Sequence, residues 1–232
     1  MSTLYGIGVG PGDPELMTLK AHRLISAAKV VAYPAPDTGE SFARRIAAAS
    51  ISSDAEEIPI RIPMRAERFP AQEVYDQAAA TLTDRLNRGL DVVVLCEGDP
   101  FFYGSFMYLF TRLSSDFSTE IVPGVPAMVA CAAAAASPLS ARNETVTVIP
   151  GPLSDTELDV HLATGGAFAI MKVGRHLPRL RDAVTRAGLA DQASYISHAS
   201  LPEQRVLPLK DAPDNAPYFS MILIPGADPY AS

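Results

Sequence analysis

The chain has 232 residues, enough for one large domain or two small ones, and 48% hydrophobic with 19% charged residues suit a well-buried globular enzyme rather than a disordered segment. A net charge of −7 gives no general basic field for a nucleic-acid backbone, so a nucleic-acid partner is not expected, although local arginines can still hold a small anion. Cys96 and Cys131 are too few for a disulfide scaffold, the four histidines lack ligand spacing and so predict no metal site, and the absence of a long apolar run or a basic-then-apolar N-terminus predicts a cytoplasmic protein without a membrane span.

A strand over 5–9 carries the loop Gly6-Ile7-Gly8-Val9-Gly10-Pro11-Gly12-Asp13-Pro14, whose last two residues signal a helix over 15–27. A strand over 29–33 stops at Pro34-Ala35-Pro36, and a polar stretch with a short strand over 57–60 comes next. Residues 71–88 form the clearest helix, with Val74, Ala78, Leu82 and Leu86 on one face and Gly89 as its stop. The strand over 91–96 ends in Glu97-Gly98-Asp99-Pro100-Phe101-Phe102-Tyr103-Gly104, a turn at the C-terminal edge where α/β sheets place their ligands. A helix over 105–113 is expected after it, then a short strand over 120–122 that ends in Pro123-Gly124-Val125-Pro126, and an alanine-dense helix over 127–136.

Pro138 and the polar residues up to Asn143 interrupt the pattern, which divides the chain into domains 1–138 and 139–232. Beyond the break, strands are expected over 145–149, 167–171, 194–197, 205–209 and 218–224, separated by two clear helices over 155–162 and 177–187. More strands than helices predicts a mixed or antiparallel second sheet. The expected fold class is therefore α/β, with two α/β domains and a ligand cleft between them.

The first glycine loop is not a dinucleotide fingerprint. A G-x-G-x-x-G pattern needs glycine at position 11 or 13, where the chain has Pro11 and Asp13, and no G-x-x-x-x-G-K-[ST] occurs there. Taken alone, the loop could be a tight turn that needs small residues. Gly98-Asp99-Pro100, Pro123-Gly124, Pro150-Gly151-Pro152 and Gly174-Arg175 also close strands, and that convergence points to a shared site.

Gly8-Val9-Gly10-Pro11-Gly12-Asp13-Pro14 with Leu16-x-Thr18-Leu19-Lys20-Ala21, then Gly98-Asp99-Pro100-x-x-Tyr103-Gly104, then Val122-Pro123-Gly124-Val125 resemble the tetrapyrrole methylase family over effectively the whole chain. The resemblance implies two α/β domains unlike a Rossmann methyltransferase, with S-adenosylmethionine as cofactor and S-adenosylhomocysteine as product. Residues 97–108, 172–177 and 202–205 look like the branch that methylates precorrin-2 at C-20, giving precorrin-3A in cobalamin biosynthesis. The same C-20 methylation of the cobalt-bearing substrate, and methylation at another carbon, stay open as alternatives. Outside this class stand a dinucleotide-dependent oxidoreductase and a non-catalytic tetrapyrrole-binding protein.

Carried over position by position, the resemblance implies cofactor contacts at Pro11, Glu97, Gly98, Asp99, Phe102, Pro126, Ala127, Met171, Ala199 and Met221. Many members have Thr or Ser just after V-P-G-[VI], where this chain has Pro126 and Ala127, so a hydroxyl contact is missing there. Glu97 and Tyr103 are the candidates for proton transfer by position. A tetrapyrrole rich in carboxylates needs cations, and arginine's planar fork suits them best. Arg61, Arg65 and Arg68 in an irregular stretch, with Arg142, Arg175, His176 and Arg205, are the candidate substrate contacts. A homodimer is expected by analogy with the family.

Overall fold

The computed structural model describes residues 2–62 and 70–226. The chain divides into two compact units, Met1–Pro126 and Ala127–Ser232. The break thus falls twelve residues before the expected boundary at 138/139. The alanine-dense helix Ala127–Ala134 packs on strands of the second unit, so it is part of that unit and not of the first.

In the first unit the described elements are β1 (Thr3–Gly8), α1 (Leu19–Ala27), β2 (Val30–Pro36), α2 (Phe42–Ala47), β3 (Glu56–Ile62), α3 (Pro70–Asn87), β4 (Val92–Cys96), α4 (Phe106–Leu113) and β5 (Ser118–Val122). The strands form a parallel sheet in the order β3-β2-β4-β1-β5. Val92-Val93-Val94-Leu95-Cys96 is buried throughout because both faces of β4 are covered. Val92 and Val94 pack with Leu82, Leu86 and Leu109 of α3 and α4, while Val93 and Leu95 pack with Ile25 and Ile46 of α1 and α2. Each such side chain contributes about 1.5–3 kcal/mol of transfer free energy as an upper bound.

Several elements differ from expectation. The first helix does not run unbroken over 15–27: a 3-10 turn at Pro14–Leu16 comes first, and the Thr18 hydroxyl then caps α1 by accepting from the Ala21 N–H at 3.1 Å. The strand expected over 29–33 continues through Pro34 and Pro36, since β2 pairs with β4 only as far as Ala32 and beyond that only with β3. One unpaired flank accommodates residues without an N–H. Its partner β3 is seven residues long rather than four, and α2, capped by Ser41, fills what reads as a polar stretch. Gly89 ends α3 as expected, at φ +78°, with the Leu90 N–H reaching back to the Arg85 carbonyl.

The second unit comprises α5 (Ala127–Ala134), β6 (Val146–Pro150), α6 (Asp155–Leu162), β7 (Ala167–Met171), α7 (Leu177–Arg186), β8 (Ser194–Ser197), β9 (Arg205–Pro208) and β10 (Ser220–Ile224). Its sheet has the order β6-β7-β10-β8-β9, with β6 and β7 parallel and the remaining pairs antiparallel, the mixed sheet expected. Alternation splits it into two faces. Phe168, Ile170 and Ile222 pack with α6 and α7, whereas Ala169, Ile196, Met221 and Leu223 pack with α5. No helix among the described residues is long and apolar enough to cross a membrane.

Candidate functional site

Adjacent parallel strands β4, β1 and β5 bring three loops to one edge of the first sheet. Gly10 and Gly98 form a small antiparallel bridge, N–H to carbonyl in both directions at 3.3 and 2.8 Å, and both have positive φ. A Cβ on Gly8 would lie 2.5 Å from the Gly98 oxygen and 2.6 Å from the Gly124 nitrogen, so these loops pack backbone on backbone. Asp99 joins them: one carboxylate oxygen accepts from Phe101 and Phe102 N–H at 2.9 and 3.1 Å, the other from Gly124 N–H at 3.0 Å.

Glu97 opens the middle loop. The backbone N–H groups of Glu97 itself and of Ala43 in α2 lie near its carboxylate and favour the charged form, yet desolvation outweighs both and pushes its pKa above the ordinary carboxylate value. Tyr103 stands at φ +57°, a left-handed backbone rare for a bulky residue, and its ring meets Phe102 edge-on at 5.2 Å. Burial pushes the Cys131 thiol up to about 12 and the Cys96 thiol higher still, so neither is a thiolate near neutral pH.

In the second unit β7 and β8 both lie antiparallel to β10, so their C-terminal ends share an edge. Met171 closes β7 directly opposite Met221 of β10, and Ala199 lies just past β8; all three belong to the apolar cluster under α5. Lys172 and His198, the first residues beyond β7 and β8, both have positive φ.

A model of the tetrapyrrole (corrin/porphyrin) methylases matches residues 3–213. The chain belongs to the tetrapyrrole methylase family. A precorrin-2 C(20)-methyltransferase of Sinorhizobium sp is 38% identical, over 96% of this chain and 95% of that protein. The cobalamin biosynthesis protein CobIJ of Mycobacterium tuberculosis is 40% identical over 97% of this chain, which spans 46% of that longer protein. A cobalt-precorrin-2 C(20)-methyltransferase of Salmonella typhimurium is 31% identical, over 95% of each chain. Among solved structures, a cobalt precorrin-4 methyltransferase superposes with a TM-score of 0.75 at 26% identity, covering 96% of this chain and 94% of that one.

For this tetrapyrrole methylase the cofactor residues expected from sequence fall into two groups. Pro11 comes directly after Gly10, which bridges to Gly98 in the loop that holds Glu97, Asp99 and Phe102, all in the first unit. Met171, Ala199 and Met221 converge in the second. Pro126 and Ala127 are the last residue of one unit and the first of the other. At the loop edge of the first unit a side chain at Gly8 or Gly124 would strike the neighbouring loop's backbone, so the glycines are required for the three loops to close on one another.

The substrate candidates are more scattered. Arg175, His176 and Arg205 lie at the second sheet's β7/β8 edge, Arg205 pairing in register with Ser197. Arg142 is exposed at φ +51° between α5 and β6. Desolvation, with Arg179 and Arg175 nearby, holds the His176 pKa below its ordinary value, so near neutral pH it offers a neutral imidazole rather than a cation. Arg65 and Arg68 lie outside the described residues. Arg61, next to the last residue of β3, lines a pocket with Arg44 and Arg45 of α2. Sequence patterning misses those two because α2 is too short for a periodic signal; the doubled arginine behind a Ser cap is the available clue.

Proposed function

We propose that this chain transfers a methyl group from S-adenosylmethionine to C-20 of precorrin-2, a step of cobalamin biosynthesis. The observation that carries the reading is the near full-length 38% identity with the Sinorhizobium precorrin-2 C(20)-methyltransferase. The glycine loops support it, because their spacing is wrong for a dinucleotide and they gather at the sheet edge where α/β proteins place their ligands.

When bound, S-adenosylmethionine supplies a methyl group activated on a sulfonium. The meso carbon of a tetrapyrrole is itself nucleophilic, so no side-chain nucleophile is needed, and the two raised cysteine pKa values accord with that. The chain's main task is alignment, an effect worth up to about 7–11 kcal/mol. Asp99 holds the loops after β4 and β5 together. Met171, Ala199 and Met221 belong to the second unit's apolar cluster under α5, and a dry apolar surrounding favours a reaction in which positive charge is lost. Glu97, whose raised pKa makes it a stronger base than an ordinary carboxylate, accepts the proton that the methylated carbon releases, with Tyr103 as the neighbouring hydroxyl.

The test is an anaerobic incubation with methyl-labelled S-adenosylmethionine and either metal-free or cobalt-bearing precorrin-2. The expected product carries one new methyl at C-20, located by NMR, with one S-adenosylhomocysteine per methyl. Methylation at another carbon, or binding of both ligands without turnover, overturns the reading. The two substrate arms decide whether cobalt is present before methylation.

A further inference from the structure

A pocket of about 270 Å³ opens beside the C-terminal ends of β2 and β3 and the start of α2, with Tyr33, Glu40, Arg44, Arg45 and Arg61 among its lining residues. Parallel sheets place ligands at this edge. Arg44 is fixed from behind: its Nε and Nη2 donate to the Glu57 carboxylate at 2.8 and 2.9 Å, and burial with Glu57 nearby raises the Tyr33 pKa. That bidentate pair leaves the Nη1 hydrogens outside it. Arg61 Nη1 donates to the Pro36 carbonyl at 2.9 Å, and the Arg45 guanidinium lies 5.0 Å from the Phe42 ring centroid.

Neither Arg45 nor Arg61 forms an ion pair among the described residues. Three guanidiniums therefore line the pocket with Glu40, and Glu57 pairs with Arg44, leaving local positive charge in a chain whose total is −7. The same short helix packs against β4, the strand that leads into the Glu97 loop, and the Ala43 backbone lies near the Glu97 carboxylate. Arg44 and Arg45 come directly after Ala43, so one helical turn ties this pocket to the loop that carries the cofactor and proton-transfer candidates.

We propose that this pocket is an anion subsite that seats one carboxylate arm of the tetrapyrrole, with Arg45 and Arg61 as donors and Arg44 as the fixed member beside them. The proposal rests on the methylase reading and deepens it. A pocket of this size admits an acetate or propionate arm and not a macrocycle, which stays outside it. Guanidiniums match carboxylate geometry in a way that lysine ammoniums do not.

Arg45→Gln and Arg61→Gln, singly and together, test it against the unchanged chain. The probes are absorbance titration with uroporphyrin III, a tetrapyrrole octacarboxylate, and steady-state methyl transfer. Each variant is expected to weaken tetrapyrrole binding and raise the tetrapyrrole KM about tenfold, with kcat, S-adenosylmethionine affinity and thermal midpoint unchanged. Binding should fall with added salt, and less steeply in the double variant. Arg45→Lys should recover part of the loss.

Calorimetric titration with inorganic phosphate separates a free anion from a substrate arm. Phosphate binding that Arg45→Gln abolishes while tetrapyrrole binding and KM stay unchanged overturns the proposal. Failure of the unchanged chain to bind the octacarboxylate also overturns it. Methyl transfer with unaltered KM in the folded double variant sinks the subsite and leaves the methylase reading standing. Loss of tetrapyrrole affinity in the variants, in a chain that transfers no methyl, does the reverse.

Discussion

The Asp99 carboxylate accepts the Gly124 N–H at 3.0 Å while its other oxygen holds the N–H groups of Phe101 and Phe102. One side chain thereby sets the spacing of two loops that share no strand. Asp99→Asn keeps the size but turns an amide donor toward either Gly124 or Phe101. The expected cost is about 1–3 kcal/mol of stability. Affinity for S-adenosylmethionine should fall about tenfold if the loops form its seat. Chemical denaturation and calorimetric titration read the two effects separately, and an unchanged affinity would remove Asp99 from the cofactor argument.

Gly8 and Gly89 predict opposite outcomes for the same substitution. Alanine at Gly8 places its Cβ against backbone atoms of Gly98 and Gly124, which cannot rotate away. At Gly89, φ is +78° and nothing lies within 4 Å of an added Cβ, so the cost is the left-handed backbone alone, about 1–2 kcal/mol. Gly8→Ala should abolish methyl transfer and lower the thermal midpoint, whereas Gly89→Ala should lower the midpoint and keep kcat.

These positions also show what the sequence made legible. The buried run of β4, the glycine loops and the mixed second sheet could be read because burial on both faces and left-handed turns restrict residue choice tightly. The break at Pro126/Ala127 could not, since alanine density gives a helix no preferred face and only tertiary contact assigns α5 to β8 and β10. Similarly, Pro34 and Pro36 read as a stop because the sequence does not reveal that β2 is paired on one side there. The arginines at the edge of β3 and α2 were partly visible as Arg61, but grouping it with Arg44 and Arg45 required the fold.

Tyr195 gives a prediction remote from the chemistry. Its ring is 1% exposed in the core of the second unit, and its hydroxyl has no hydrogen-bond partner among the described residues. A buried hydroxyl without a partner carries a desolvation penalty of about 1–3 kcal/mol. Tyr195→Phe should therefore leave stability unchanged or raise it by about 1 kcal/mol, with kcat and both KM values unaltered. A loss of more than about 1 kcal/mol in urea denaturation would mean that the hydroxyl has a partner in solution.

Glu97 should leave a signature in stability as well as in rate. Its pKa is raised in the folded chain, so between the ordinary carboxylate value, about 4.5, and the raised one the folded state holds more protons than the unfolded state. Its contribution to stability is therefore complete below about 4.5 and is lost as pH rises through the raised value. Glu56, Glu57 and Glu157 are shifted downward and act with the opposite sign, so the total curve hides the effect. The difference between the unchanged chain and Glu97→Gln isolates it: the variant should gain relative stability as pH rises across that window, read from urea midpoints. Glutamine keeps the size of the side chain, and α2 is capped independently by Ser41. If Glu97 takes the released proton, Glu97→Gln should lower kcat about 10²–10⁴-fold and flatten the acid limb of the pH–rate profile. A kcat within about threefold of the unchanged chain, with the stability difference present, would leave Glu97 a structural role and pass the proton to Tyr103 or to solvent.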